Sequence, residues 1–339
     1  MHVAVRVIFL GIIFSSLFLQ AQLLQPPAAL PLDGDARPTQ LPPDAIVGSP
    51  QCDSLGHMYV RYATSPNGSL MSRIARIDAD GSTRSISLAA IAGQQDDAHT
   101  FVFAADDDGS LHEIVRVADN PDQPDVSGHV EYVRFDSDGD LRSQSAFADD
   151  FVPSSFLPLP DGDFFAGGIT LKLSAGGVSE DPVAGIFGPD ATLQRHLHAG
   201  STPANANSGD DSAPSQTVRL GDDGNLYMLT TADHATVEVV NQAGRILRKL
   251  ELKEAFESDV VNDMWVSGNR LLVVYEGESD KAEDAYVYVL YDAQSGEIIR
   301  AYKPKFAGTI ACFQDGQTLS ILLHDPASGT IAVGSAELQ

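Results

Sequence analysis

The chain has 339 residues, 43% of them hydrophobic and 20% charged. That is enough apolar surface for a full core, in a composition too mixed for a disordered or collagen-like polypeptide. Lys and Arg number 21 against 47 Asp and Glu, a formal charge of −26, which disfavours a nucleic-acid phosphate backbone or an anionic membrane surface as partner. Two cysteines, Cys52 and Cys312, are too few for a disulfide-dense scaffold or a four-ligand zinc ribbon.

The N-terminus reads as an address. A basic start up to Arg6, an apolar run from Val7 to Leu19 and a small Ala21 form the pattern of a secretory signal peptide over residues 1–21, so the mature protein is expected to be secreted or periplasmic. The run is shorter than the roughly 20 residues that cross a bilayer as a helix, and no later segment is long and apolar enough, so no membrane span is expected after signal cleavage. An uncleaved anchor is the alternative. Residues 22–45 hold Pro26, Pro27, Pro31, Pro38, Pro42 and Pro43. Proline removes backbone donors and favours extended chain, so this stretch reads as a linker.

From residue 46 to 339 two interleaved ladders repeat. The first is an apolar stretch, a glycine turn and a second apolar stretch, centred on Gly56, Gly109, Gly162, Gly224, Gly268 and Gly316, in steps of 53, 53, 62, 44 and 48 residues. The second falls between these copies, at Gly81, Gly139, Asp190, Gly244 and Gly296. Each repeat is therefore two hairpins, with Asp-Gly, Asn-Gly and Ser-Gly pairs supplying the positive φ of tight turns. A fixed period of this length signals an array, and a ring of four-stranded antiparallel sheets is a β-propeller. Six copies predict an all-β, six-bladed β-propeller. The runs LLVVY (271–275), YVYVLY (286–291) and LSILL (319–323) are apolar on both faces, as strands covered by neighbouring blades must be.

The last repeat is one strand short of four after its first hairpin. A segment of the Pro-rich arm before Cys52 is a candidate for the missing outer strand, since proline is tolerated at such an edge. Cys52 and Cys312 both lie four residues before their turn glycines, at equivalent places on the first and last blades. A disulfide across the ring seam and a pair of buried thiols are both open readings.

The segment 215–252, with GNLYML followed by ATVEVVNQAGRILRKLEL, resembles the NHL-type repeat of six-bladed propellers. As a repeat pattern over residues 46–338 the chain is similar to the broad group that includes NHL, TolB-like and SMP-30/gluconolactonase proteins. The resemblance implies shape more than chemistry, because one fold hosts many functions. A lone Trp265 and the absence of a Trp-Asp pair argue against WD40 repeats.

In such blades the short Asp-Gly turns share one face of the disc, while the longer segments 118–128, 199–215 and 276–285 fall on the other. That second face, acidic through Asp119, Asp122, Asp125, Asp210, Asp211, Glu276, Glu278, Asp280, Glu283 and Asp284, is the expected interaction surface. Among possible sites, Asn262-Asp263 at the head of an inner strand resembles the pair that approaches a channel calcium in lactonase-type propellers, although no acid between Val47 and Gln51 matches the glutamate of that set. Asp136 to Asp140 reads as an acidic turn rather than a calcium loop. His196 and His198 share a strand face without a third ligand, and Asn67-Gly68-Ser69 fits the glycosylation triplet. No nucleophile elbow, dinucleotide fingerprint or Walker loop occurs. The expectation is a non-catalytic binding module for a protein, peptide or glycan, needing no cofactor. The alternative is a calcium-dependent hydrolase or lactonase using Asn262 and Asp263.

Overall fold

A computed structural model describes residues 26–42, 45–64, 73–91, 99–119, 128–174, 177–197, 217–231, 234–253, 260–276, 286–325 and 328–339. The leader expected over residues 1–21 lies outside them, and among the described residues no helix is long and apolar enough to cross a membrane.

Two short strands come first, β1 (Ala28–Leu30) and β2 (Arg37–Pro38). Blade 1 follows with β3 (Ile46–Val47) and β4 (Gln51–Cys52), both paired to β5 (Met58–Ala63), then β6 (Arg73–Ile77) and β7 (Thr83–Ser87). Blade 2 is β8 (His99–Ala105), β9 (Leu111–Ala118), β10 (Gly128–Phe135) and β11 (Leu141–Ala146). Blade 3 is β12 (Asp150–Pro158), β13 (Phe164–Ser174), β14 (Gly177–Phe187) and β15 (Leu193–His196). Blade 4 is β16 (Thr217–Leu220), β17 (Leu226–Thr230), β18 (Thr236–Val240) and β19 (Ile246–Glu251). Blade 5 is β20 (Val261–Ser267), β21 (Arg270–Glu276), β22 (Tyr286–Asp292) and β23 (Ile298–Pro304). Blade 6 supplies β24 (Gly308–Gln314), β25 (Thr318–Asp325) and β26 (Thr330–Glu337). The innermost strands β4, β8, β12, β16, β20 and β24 touch in sequence, and β24 meets β4. The molecule is thus a closed six-bladed β-propeller of four-stranded antiparallel blades.

Its interior is divided by that geometry. Each pair of adjacent blades buries its own apolar cluster: Ile74 and Leu111 between blades 1 and 2, Tyr132 and Phe164 between 2 and 3, Phe165 and Met228 between 3 and 4, Val239 and Val273 between 4 and 5, Leu290 and Ile321 between 5 and 6, and Val60 and Leu322 across the seam. Central strands such as β21 are buried almost throughout, because a neighbour covers each face.

The Pro-rich stretch read as a linker over residues 22–45 also supplies the outer strand that the last repeat lacks. From Ala28 onward it is bound to the ring. β1 lies parallel on β23 as a fifth strand of blade 5, and β2 pairs antiparallel with β26, Arg37 opposite Val333 and Pro38 opposite Ala332, completing blade 6. Leu30 enters the core between blades 5 and 6, while Leu41 and Ala45 enter the core at the seam. Proline is tolerated there because an outermost strand bonds along one edge only, and the buried leucines supply the apolar contact that a solvated tether would lack. At the centre of the seam a disulfide joins Cys52 of β4 to Cys312 of β24, with Cα atoms 5.4 Å apart.

Most of the hairpin turns close through an amide bonded back to the carbonyl three residues earlier, as Gly139 N does to Asp136 O at 3.0 Å. Gly139 has φ +91°, and a Cβ added there would run into Ser87 O. Ala191, at the equivalent turn of blade 3, accepts φ +60°, and its methyl group packs in the aromatic core between blades 2 and 3. Four inner strands shift register at a bulge, between Thr100 and Val102, Pro153 and Ser155, Val261 and Asp263, and Ile310 and Cys312. Such bulges re-aim one side chain per strand.

Candidate functional site

Asn262 is the extra residue in the bulge of β20 and is exposed. Its neighbour Asp263 faces blade 4, where Arg219 Nη2 on β16 donates to both carboxylate oxygens at 2.8 and 3.0 Å, while the Met264 amide donates to Oδ1 at 2.7 Å. Arg219 also donates from Nε to Met264 O at 2.8 Å, and its guanidinium carbon lies 5.4 Å from the centre of the Trp265 ring. The arginine is thereby clamped on three sides, and Asp263 already has its counter-charge. Calcium needs six to eight oxygen ligands. Among the described residues no group of three or more His, Cys, Asp or Glu is arranged around a possible ion. Asn262 and Asp263 thus offer two side chains toward such a set, and the Asp263 carboxylate is already engaged by Arg219.

The longer segments of the second face lie mostly outside the described residues, including Asp122, Asp125, Asp210, Asp211, Glu278, Asp280, Glu283 and Asp284. The described strand ends locate two of them: β9 to β10 and β21 to β22 connect at the end of their blades opposite the glycine turns. At the base of the first, His129 is held between two acids, Nδ1 2.7 Å from Asp119 and Nε2 2.8 Å from Glu131. The Asp119 bond pushes the imidazole pKa up; burial opposes it, and Glu131 adds to the rise.

On the tight-turn face, blades 1 and 2 enclose a pocket of about 260 Å³. Its foundation is Asp53, buried three residues before the turn glycine. Leu55 N and His57 N donate to its Oδ1 at 3.0 and 2.8 Å, and Tyr59 Oη donates to its Oδ2 at 3.2 Å. His57 Nδ1 lies 2.7 Å from the same Oδ2. A carboxylate accepts, so Nδ1 is the protonated nitrogen and Nε2 turns outward. It sits 3.8 Å from Asp78 Oδ1, beyond direct hydrogen-bonding reach. Burial, reinforced by Asp53, drives the Tyr59 pKa upward, so Tyr59 serves as a neutral donor. Arg76 and Arg84 complete the wall of blade 1; Asp107, Asp108 and Ser137 face them from blade 2.

Deeper between the same blades, Arg61 on β5 pairs with Glu113 on β9, which is 2% exposed, and Thr100 Oγ1 approaches Glu113 at 3.5 Å. Burial raises the Glu113 pKa, and Arg61 opposes that shift.

Other candidates resolve structurally. Asp136 caps its own turn, Oδ1 accepting from Asp138 N and Asp140 N at 2.9 Å while Arg142 binds Oδ2. His196 is exposed on the outer strand β15; His198 and the triplet at 67–69 lie outside the described residues. Sequence reading missed Arg219, which is separated from its partner Asp263 by about one repeat, and the Asp53-His57-Tyr59 set. The signal for the set was an Asp, His and Tyr spaced at i, i+4 and i+6 across a single glycine turn.

No family model and no curated protein matches this chain. Among solved structures, a protein of unknown function from Dyadobacter fermentans aligns at 9% identity with a TM-score of 0.55, covering 90% of this chain and 98% of its own. A candidate exported protein from Bacteroides fragilis aligns at 12% identity with a TM-score of 0.52, covering 91% and 96% respectively. At such identities the likeness is one of fold.

Proposed function

We propose that this chain is an exported propeller that binds a protein, peptide or glycan on its loop-rich face, within the NHL and TolB-like range of six-bladed folds, and that it catalyses no reaction there. The observation carrying this reading is the clamp on Asp263. The acid that a channel metal would require is neutralised by Arg219, while the closed ring offers a stiff platform for long acidic connections. A basic partner suits that surface, and steering by opposite charge would make its association rate strongly salt-dependent.

The test replaces residues 199–215, or 277–285, with Gly-Ser linkers of equal length and measures binding to arrays of basic, neutral and acidic peptides and of glycans. Saturable binding by the parent chain, weakened by salt and lost in a loop variant of unchanged melting temperature, supports the proposal. Calcium-dependent hydrolysis of a lactone or ester panel, abolished by Asp263→Ala, would replace it with the hydrolase reading. A native-state ligand must also raise the melting temperature, so calcium is expected to leave it unchanged.

A further inference from the structure

We propose that the pocket between blades 1 and 2 on the tight-turn face binds a small zwitterion, a free amino acid or a dipeptide, independently of the loop-rich face. Its walls carry opposite charge. On blade 1, Asp78 Oδ1 anchors Arg76 through Nε at 3.1 Å, and the two terminal nitrogens of that guanidinium have no partner among the described residues. Arg84 lines the same wall and is tied at one nitrogen to Asp138. His57 presents Nε2 in an orientation set by the wholly buried Asp53. On blade 2, one oxygen of Asp107 accepts from Ser54 N at 3.0 Å and one of Asp108 from Ser110 N at 2.8 Å, with Arg134 3.8 Å from the second Asp108 oxygen. Ile86 and Tyr59 form an apolar floor, and Leu55, 64% exposed, stands at the rim.

An anion alone entering this space meets Asp107 and Asp108; a cation alone meets Arg76 and Arg84. A ligand with a carboxylate and an ammonium group a few ångströms apart satisfies both walls at once. The guanidinium fork of Arg76 matches carboxylate geometry, and a water donating to both acceptors can span the 3.8 Å between His57 Nε2 and Asp78 Oδ1. The site is preorganised as well. Four bonds converge on Asp53, so the imidazole does not have to be ordered on binding.

The experiment is calorimetric titration of the intact chain with L-serine, L-leucine and the dipeptide Gly-Gly, alongside the single-charge analogues ethanolamine and lactate. Saturable binding of a zwitterion, about ten- to a hundredfold weaker in both Arg76→Gln and Asp107→Asn and absent for the single-charge analogues, is expected. Both variants alter partly exposed side chains, and a melting curve for each verifies folding. Equal binding of lactate would make this a plain anion site and overturn the assignment. So would a failure of all the probes to bind, or binding indifferent to the two substitutions. Loop replacement on the opposite face is expected to leave this binding unchanged.

Discussion

Removing the Cys52–Cys312 bond tests how the ring is closed. The two cysteines are 260 residues apart in sequence, so the bond ties most of the unfolded chain into one loop. The loop-entropy relation gives about 5–6 kcal/mol of destabilisation when it is lost. For a domain of this size, unfolding entropy near 2 cal/mol/K per residue converts that to a drop of roughly 9 °C in melting temperature. The reduced protein is still expected to fold, because β1 and β2 bridge blades 5 and 6 and Leu41 packs across the seam. The assay is differential scanning calorimetry of the oxidised chain, the chain reduced with dithiothreitol, and the Cys52→Ala/Cys312→Ala double variant. Reduction probes the loop constraint without altering the side chains; the double variant adds a small void at Cys312, which is 1% exposed, and should melt slightly lower. Coincident melts for the oxidised and reduced forms would refute the reasoning, since a covalent closure of this span cannot be thermally silent if the unfolded chain is expanded.

Arg61→Met leaves the Glu113 carboxylate buried without its cation and is expected to cost about 3–5 kcal/mol in urea unfolding. Because burial raises the Glu113 pKa, the deficit shrinks as the pH falls and the group takes up its proton. His129, raised by Asp119 and Glu131, contributes stability that is complete below the ordinary histidine pKa of about 6.5 and is lost as the pH rises through the higher folded value. With its side chain 42% exposed, solvent screening holds that contribution under about 1 kcal/mol. The slope of stability against pH above neutrality should flatten in His129→Gln. Gly139→Ala forces a Cβ against Ser87 O at a positive φ, and a loss of at least about 2 kcal/mol is expected by chemical denaturation. A neutral result there would mean that the turn relaxes without disturbing blade 1.

The architecture was legible because its signals are local and repeated. Gly56, Gly109, Gly162, Gly224, Gly268 and Gly316 all have positive φ, the conformation their turns demand, and the doubly apolar strands between them follow from burial on two faces. The short last repeat exposed the need for a strand from elsewhere. What hid the sites is that their partners are separated by about one repeat. Arg219 and Asp263 are 44 residues apart, Arg61 and Glu113 are 52, and Ser54 and Asp107 are 53. Neighbouring blades bring together positions at that spacing, but nothing within either repeat marks which charged residues will meet. Read in sequence, Asn262-Asp263 looked like half of a metal site; in space the bulge turns Asn262 outward and leaves Asp263 to an arginine on the next blade.

By itself the amino-acid sequence determined the number of blades, the strand and turn chemistry and the acidity of the molecule, since each follows from a residue and its near neighbours. Tertiary structure alone decided which residues of the Pro-rich arm complete blade 6 and which pack on blade 5, which acids are neutralised and which polar groups share a pocket. Those outcomes depend on contacts between blades, where closing the ring sets residues far apart in the chain within bonding distance and leaves others facing solvent.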